Sequence, residues 1–129
     1  MKKVGIIGAM ELEVETLKSK MEVKSTTTKA RMEFFEGTLN GVEVVIVRSG
    51  IGKVNAGMCT QILSDLFGVT HIINTGVAGS LDAAIDIGDI VVSTEVLQHD
   101  VKRPERYSGM KPRLPKPIEK TLRFSKARQ

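Results

Sequence analysis

Apolar and polar positions alternate between two periods along the chain, and the switches mark its elements. Val4 to Ile7 is a short apolar run closed by Gly8, the signature of a buried strand. From Met10 the spacing changes to 4, 3 and 4, through Val14, Leu17 and Met21. That is one face of a helix over about Glu11 to Lys20. Met32 to Leu39, with Phe34 and Phe35, reads as a strand. Asn40-Gly41 supplies a tight hairpin turn, and Val44 to Val47 returns as its partner. Ser49 to Lys53 is a loop. Val54, Met58, Ile62 and Leu66 fall roughly in line on a second helix, Val54 to Phe67. His71 to Asn74 is a second buried strand, followed by a small-residue loop from Thr75 to Asp89. Ile90 to Ser93, extending toward Val96, is the next strand.

Hairpin and strand–helix–strand units together predict an α/β domain with a mixed central sheet and flanking helices. Residues 1–101 are expected to hold five or six strands and two helices, with Val4–Ile7 and His71–Asn74 central, since runs apolar on both faces belong in covered parallel strands. Beyond residue 101 the pattern stops. Residues 102–129 carry all four prolines and scattered apolar residues. A packed strand is not evident there, the only regular element suggested is a short helix around Ile118 to Phe124, and a poorly packed basic tail is the expectation.

Charge sharpens this boundary. Residues 1–101 hold nine Lys/Arg and thirteen Asp/Glu, whereas 102–129 hold ten and two. The overall charge of +4 therefore describes neither part, and it does not argue for a nucleic-acid partner. No apolar run approaches the roughly 20 residues of a membrane span, and no secretion signal is legible at the start. Cys59 is the single cysteine, which rules out an internal disulfide and suits a reducing cytoplasm. Its neighbours Met58 and Ile62 mark it as a small buried hydrophobe. His71 and His99 lack ligand-like spacing, so no metal site is expected.

Two glycine-bearing stretches fail as nucleotide motifs. "VRSGIGKV" has Val47 where a phosphate-binding loop needs glycine, and Val54 where it needs Ser or Thr. "GIIGAM" lacks the full dinucleotide fingerprint. More informative are the acids Glu11, Glu13 and Glu15, at the switch from strand to helix. Acids suit a helix start for electrostatic reasons alone. Glu15 can pair with Lys18 at i+3. Glu13 has no local cation, and at about 100° per residue it lies roughly 70° from the centre of the apolar stripe. It also follows the carboxyl end of a strand, where open α/β sheets bind ligands. A solvated first-turn glutamate and a functional carboxylate both fit these residues. Gly76, Ala78 and Gly79 follow a second buried strand, where small residues serve either a tight turn or a close ligand.

The blocks "GIIGAMELEVE", "SGIGKVNAG", "INTGVAGSL", "GDIVVS" and "QHDV" stand in the order of the 5′-methylthioadenosine/S-adenosylhomocysteine nucleosidase family. The chain resembles the N-terminal half of that family from Lys3 to about Val101. The resemblance implies a nucleoside phosphorylase-like fold, incomplete at this length, and hydrolysis of the adenine–ribose bond. It implies Glu13 as the group that activates water. Ala9, Val77, Ala78, Gly79 and Ile51 match positions lining the nucleoside pocket or a dimer contact. Many members have serine where Val77 stands. The resemblance also implies a homodimer, a role in methionine salvage, and no metal or organic cofactor. After His99-Asp100 the family's Phe-Gly-Tyr motif is missing. The family's second half, with a purine-protonating aspartate and a ribose-gripping Met-Glu pair, has no counterpart. The switch near Lys102 therefore points to a truncated or frameshifted reading frame, with 102–129 a divergent tail. The rivals are a purine nucleoside phosphorylase of the same fold and a non-catalytic nucleoside-binding fragment.

Overall fold

The computed structural model describes residues 2–80, 82–93 and 120–128. Among these described residues, two helices flank one mixed sheet of seven strands. In chain order these are β1 (Lys3–Gly8), α1 (Glu11–Lys20), β2 (Glu22–Lys29), β3 (Met32–Leu39) and β4 (Val42–Arg48). Then come α2 (Lys53–Asp65), β5 (His71–Gly79), β6 (Ile90–Ser93) and β7 (Lys120–Arg128). The strand order is β2-β3-β4-β1-β5-β7-β6.

Strand β1 lies parallel between β4 and β5, with Ile6 opposite both Ile46 and Ile73. Its alternation feeds two cores. Val4 and Ile6 join Val44 and Ile46 on one face, under Val14 and Met21. Ile7 joins Val45, Val47 and Phe34 on the other, under Cys59, Leu63 and Phe67. The two helices thus cover opposite faces, which is why β1 and β4 read as unbroken apolar runs. Gly5 belongs to the α2 face, and a Cβ there would lie 3.0 Å from Leu63 Cδ1. Helix α2 can therefore settle close against β1.

The α1 stripe is as expected at Val14, Leu17 and Met21, while Met10 stays exposed. The α2 stripe is not. Cys59, Leu63 and Phe67 face the core, with Ile62 partly buried, and Val54 is 82% exposed. The spacing of 4 repeated from Val54 drifts around a 3.6-residue helix. The chain buries the neighbouring row and leaves Val54, Met58 and Leu66 outward.

Three strands depart from the sequence reading. β2 was not expected. Its residues EVKSTTTK are mostly exposed, because it is an edge strand antiparallel to β3. β5 continues through Thr75–Gly79, where a loop was expected, and pairs with β7 along its length. The third correction is β7 itself. Lys120–Arg128 is a strand, parallel to β5 and antiparallel to β6, where at most a short helix was expected over 118–124. All four prolines precede it, so none interrupts its ladder. Leu122 and Phe124 follow the strand period of two. The expected extension to Val96, His99-Asp100 and most of the tail lie outside the described residues.

Candidate active site

The site forms where β1 gives way to α1. Met10 keeps an extended backbone as the N-cap, and Glu13 stands at the third helical position. Its Oε2 accepts hydrogen bonds from the backbone N–H of Ala9 at 2.7 Å and of Met10 at 3.0 Å. One carboxylate oxygen thus satisfies the N-cap N–H and that of the residue before it. Oε1 reaches the adjacent strand and accepts the N–H of Val77 at 3.2 Å. Glu13 therefore joins the ends of two parallel strands, β1 and β5. Gly8 makes this fit, since a Cβ on it would lie 2.6 Å from Val14 Cγ1 and 3.1 Å from Glu13 Cβ.

Strand β4 closes the other side. Buried Ser49 donates its N–H to Gly8 O at 2.9 Å, and its hydroxyl donates to Gly50 O at 2.9 Å. Beside it opens a groove of about 600 Å³, whose lining includes Ala9, Met10, Arg48, Ser49, Ile51 and Met58. Ala9 and Val77 thus meet Glu13 directly. Ile51 lines the groove and is 75% exposed. Ala78 and Gly79 continue along β5, and neither contacts Glu13 through a described hydrogen bond.

The two acids of the first turn, Glu11 and Glu13, have separate tasks. Glu11 pairs with Lys18 at 2.8 Å and approaches Arg48 Nε at 3.6 Å. Lys18 was expected to pair with Glu15. It instead reaches back two turns to Glu11, with its ammonium 4.4 Å from the Phe35 ring centroid. The amides of Met10 and Ala9 are functional groups that the sequence gives no sign of, since any residue carries an N–H. Among the described residues, no group of three His, Cys, Asp or Glu could hold a metal ion.

The family described as Phosphorylase superfamily matches residues 3–125. The chain belongs to the phosphorylase superfamily. Within the superfamily it is 54% identical over 101 residues to the 5′-methylthioadenosine/S-adenosylhomocysteine nucleosidase of Halalkalibacterium halodurans. That match takes in 78% of this chain and 44% of the relative, so the chain spans less than half the length of the curated relatives it matches. Among solved structures it is similar to the nucleosidase of Colwellia psychrerythraea in complex with adenine. There the TM-score is 0.77 and the identity 50%, over 88% of this chain and 47% of that one. The Neisseria meningitidis nucleosidase with methylthio-immucillin-A gives a TM-score of 0.78 and 40% identity, over 89% and 51%. The phosphorylase-superfamily fold inferred from the sequence blocks is thus the fold observed.

Proposed function

We propose that this phosphorylase-superfamily chain carries the water-activating half of a nucleosidase that hydrolyses the N-glycosidic bond of 5′-methylthioadenosine and S-adenosylhomocysteine, releasing adenine. The observation that carries this reading is the Glu13 carboxylate, held by three backbone N–H groups at the ends of β1 and β5. Breaking the bond sends its electron pair to the adenine and builds positive charge on the ribose. A fixed carboxylate stabilises that charge and takes a proton from water as the water oxygen bonds to C1′. Ala9 and Ile51 on one side, and the Val77-Ala78-Gly79 segment on the other, would flank the nucleoside.

A phosphorylase would need cations to hold phosphate where Glu13 stands. Arg48 and Lys18 both lie near Glu11, and the groups described around the Glu13 carboxylate are backbone amides. Water is therefore the better nucleophile here. Protonation of the departing adenine belongs, by resemblance, to the second half of the family fold. This chain alone is accordingly proposed to turn over slowly.

The homodimer that the resemblance implies fits the outward apolar residues Ile51, Val54, Met58 and Leu66 on and beside α2. A cytoplasmic setting fits the lone, reduced Cys59, and adenine release from methylthioadenosine suits methionine salvage. Among the described residues, no helix is long and apolar enough to cross a membrane.

The test is adenine release from methylthioadenosine by residues 1–129. A chimera is assayed beside it, with residues 1–101 continued by the second half of the Halalkalibacterium halodurans nucleosidase. The chimera should be active without phosphate, and Glu13→Gln should lower its kcat by about 10²-fold or more. Strict phosphate dependence would select the phosphorylase. Turnover by 1–129 within tenfold of the chimera would refute the incomplete site.

A further inference from the structure

We propose that Gly76 is a positioning residue for the Glu13 carboxylate. The proposal rests on the reading of Glu13 as the base. A Cβ built on Gly76 would lie 2.7 Å from Glu13 Oε1, 3.1 Å from Cδ and 3.5 Å from Oε2. The three nearest atoms all belong to that one carboxyl group, which rests on the bare α-carbon of β5.

Backbone freedom does not explain this glycine. Gly41, Gly50, Gly52, Gly68 and Gly88 adopt positive φ, and Gly76 does not. Within a strand, glycine otherwise weakens the sheet. What the position uses is the missing side chain. Gly37 shows the contrasting case, since a Cβ there would lie 2.0 Å from the backbone oxygen of Glu22, making it a glycine required by chain packing alone.

The lone pairs of the carboxylate give this contact a chemical consequence. A carboxylate offers about four acceptor sites. Oε2 receives Ala9 and Met10, while Oε1 receives Val77 among the described hydrogen bonds. The remaining site is on Oε1, the oxygen closest to Gly76. Gly76 allows Oε1 to sit against β5, take the Val77 amide and keep one lone pair for water. A methyl group at residue 76 pushes Oε1 off that seat.

The decisive experiment is a stability cycle on the full chain, which needs no turnover. Gly76→Ala should lower Tm on the order of 5 °C. In a Glu13→Gly background, where the space is vacant, the same substitution should leave Tm unchanged or raise it, as expected for a strand alanine. If Gly76→Ala does not fold, the double variant should still fold. An equal loss in both backgrounds, or a double variant that does not fold, overturns the proposal.

A structural role alone would not move the second readout. Hydrogen exchange of the Val77 amide at fixed pH, compared with the neighbouring β5 amides, should be selectively at least about tenfold faster in Gly76→Ala than in wild type. A Val77 amide that exchanges no faster than its β5 neighbours overturns the proposal. In the chimera, Gly76→Ala should lower kcat at least tenfold with KM within about threefold, and Glu13→Gln should add little to it. If Glu13→Gln alone leaves kcat unchanged, the assignment of Glu13 as base fails, while the stability cycle still decides whether Gly76 seats it.

Discussion

Replacing Glu13 by glutamine separates its service to the helix from its chemistry, and the structural part can be worked out. The carboxylate accepts three N–H groups, from Ala9 and Met10 on one oxygen and from Val77 on the other. An amide has one oxygen and one NH2, so it cannot accept on both sides. With its oxygen toward Ala9 and Met10, the NH2 faces the Val77 N–H, donor to donor. Losing a hydrogen bond to a charged acceptor costs about 1.5–3 kcal/mol. Val77 is partly exposed, so water replaces some of that loss and the lower end applies. Removing a negative charge from the first turn costs a further 0.3–1 kcal/mol or so. The expected destabilisation is about 2–2.5 kcal/mol, or roughly 6–10 °C in Tm for a chain of this length. Urea unfolding followed by circular dichroism measures it, with an unchanged m-value confirming the same transition. The control is Glu15→Gln, an exposed acid on the same helix, which should stay within about 0.5 kcal/mol of wild type. A Glu13→Gln midpoint matching the control would show that the clasp between β1 and β5 contributes nothing, and the capping role would be withdrawn.

Phe34 is fully buried and stacks on Phe67 with ring centroids 5.0 Å apart, so Phe34→Ala should cost about 3–5 kcal/mol in urea unfolding. Burial pushes the Cys59 thiol up to about 12, so Ellman's reagent at pH 8 should label it slowly in the folded chain and fast in guanidinium. The Lys3 ammonium bonded to Glu36 holds that carboxyl below its ordinary value of 4.5. Below about pH 4.5 the unfolded chain then binds more protons than the folded one, so this stabilisation is present above 4.5 and is lost as pH falls through the folded value. Thermal melts from pH 6 to 3 should therefore fall less steeply for Glu36→Gln than for wild type, and parallel curves would remove the ion pair from the account.

The half of the sheet around β1 was legible because its signals are local and agree. The apolar runs of β1 and β4, the Asn40-Gly41 turn and the helical stripe of α1 each state one conformation. Asn40 and Gly41 indeed adopt φ of 49° and 78°. The preceding hairpin was missed because Ala30 and Arg31, also at positive φ, carry no turn signal, and the β2 they introduce buries too little to show an alternating pattern. In α2 two apolar rows compete, and only the sheet decides that Cys59, Leu63 and Phe67 turn inward. β5 outran its reading because Thr75–Gly79 are strand only with β7 alongside, and a partner so distant leaves no mark on the local pattern. At the site, Glu13 could be singled out by its position and its lack of a local cation. The backbone amides that hold it could not, because only the fold brings Val77 to it.

The placing of β1 between two parallel neighbours also bears on the order in which the chain folds. Lys3 pairs with Glu43, and Val4 with His71. Strand β1 thus lacks its first partner until some 40 residues have followed it, and its second arrives only after the whole of α2. The β2–β3–β4 meander, joined by tight turns, closes short loops and can form earlier at little entropic cost. Folding should begin in that meander, with β1 docking onto the exposed edge of β4. Until then, an apolar segment already synthesised stays open to chaperones and to neighbouring chains. Substitutions at the Asn40-Gly41 turn should therefore slow folding, while changes at the β1–β5 seam should mainly hasten unfolding.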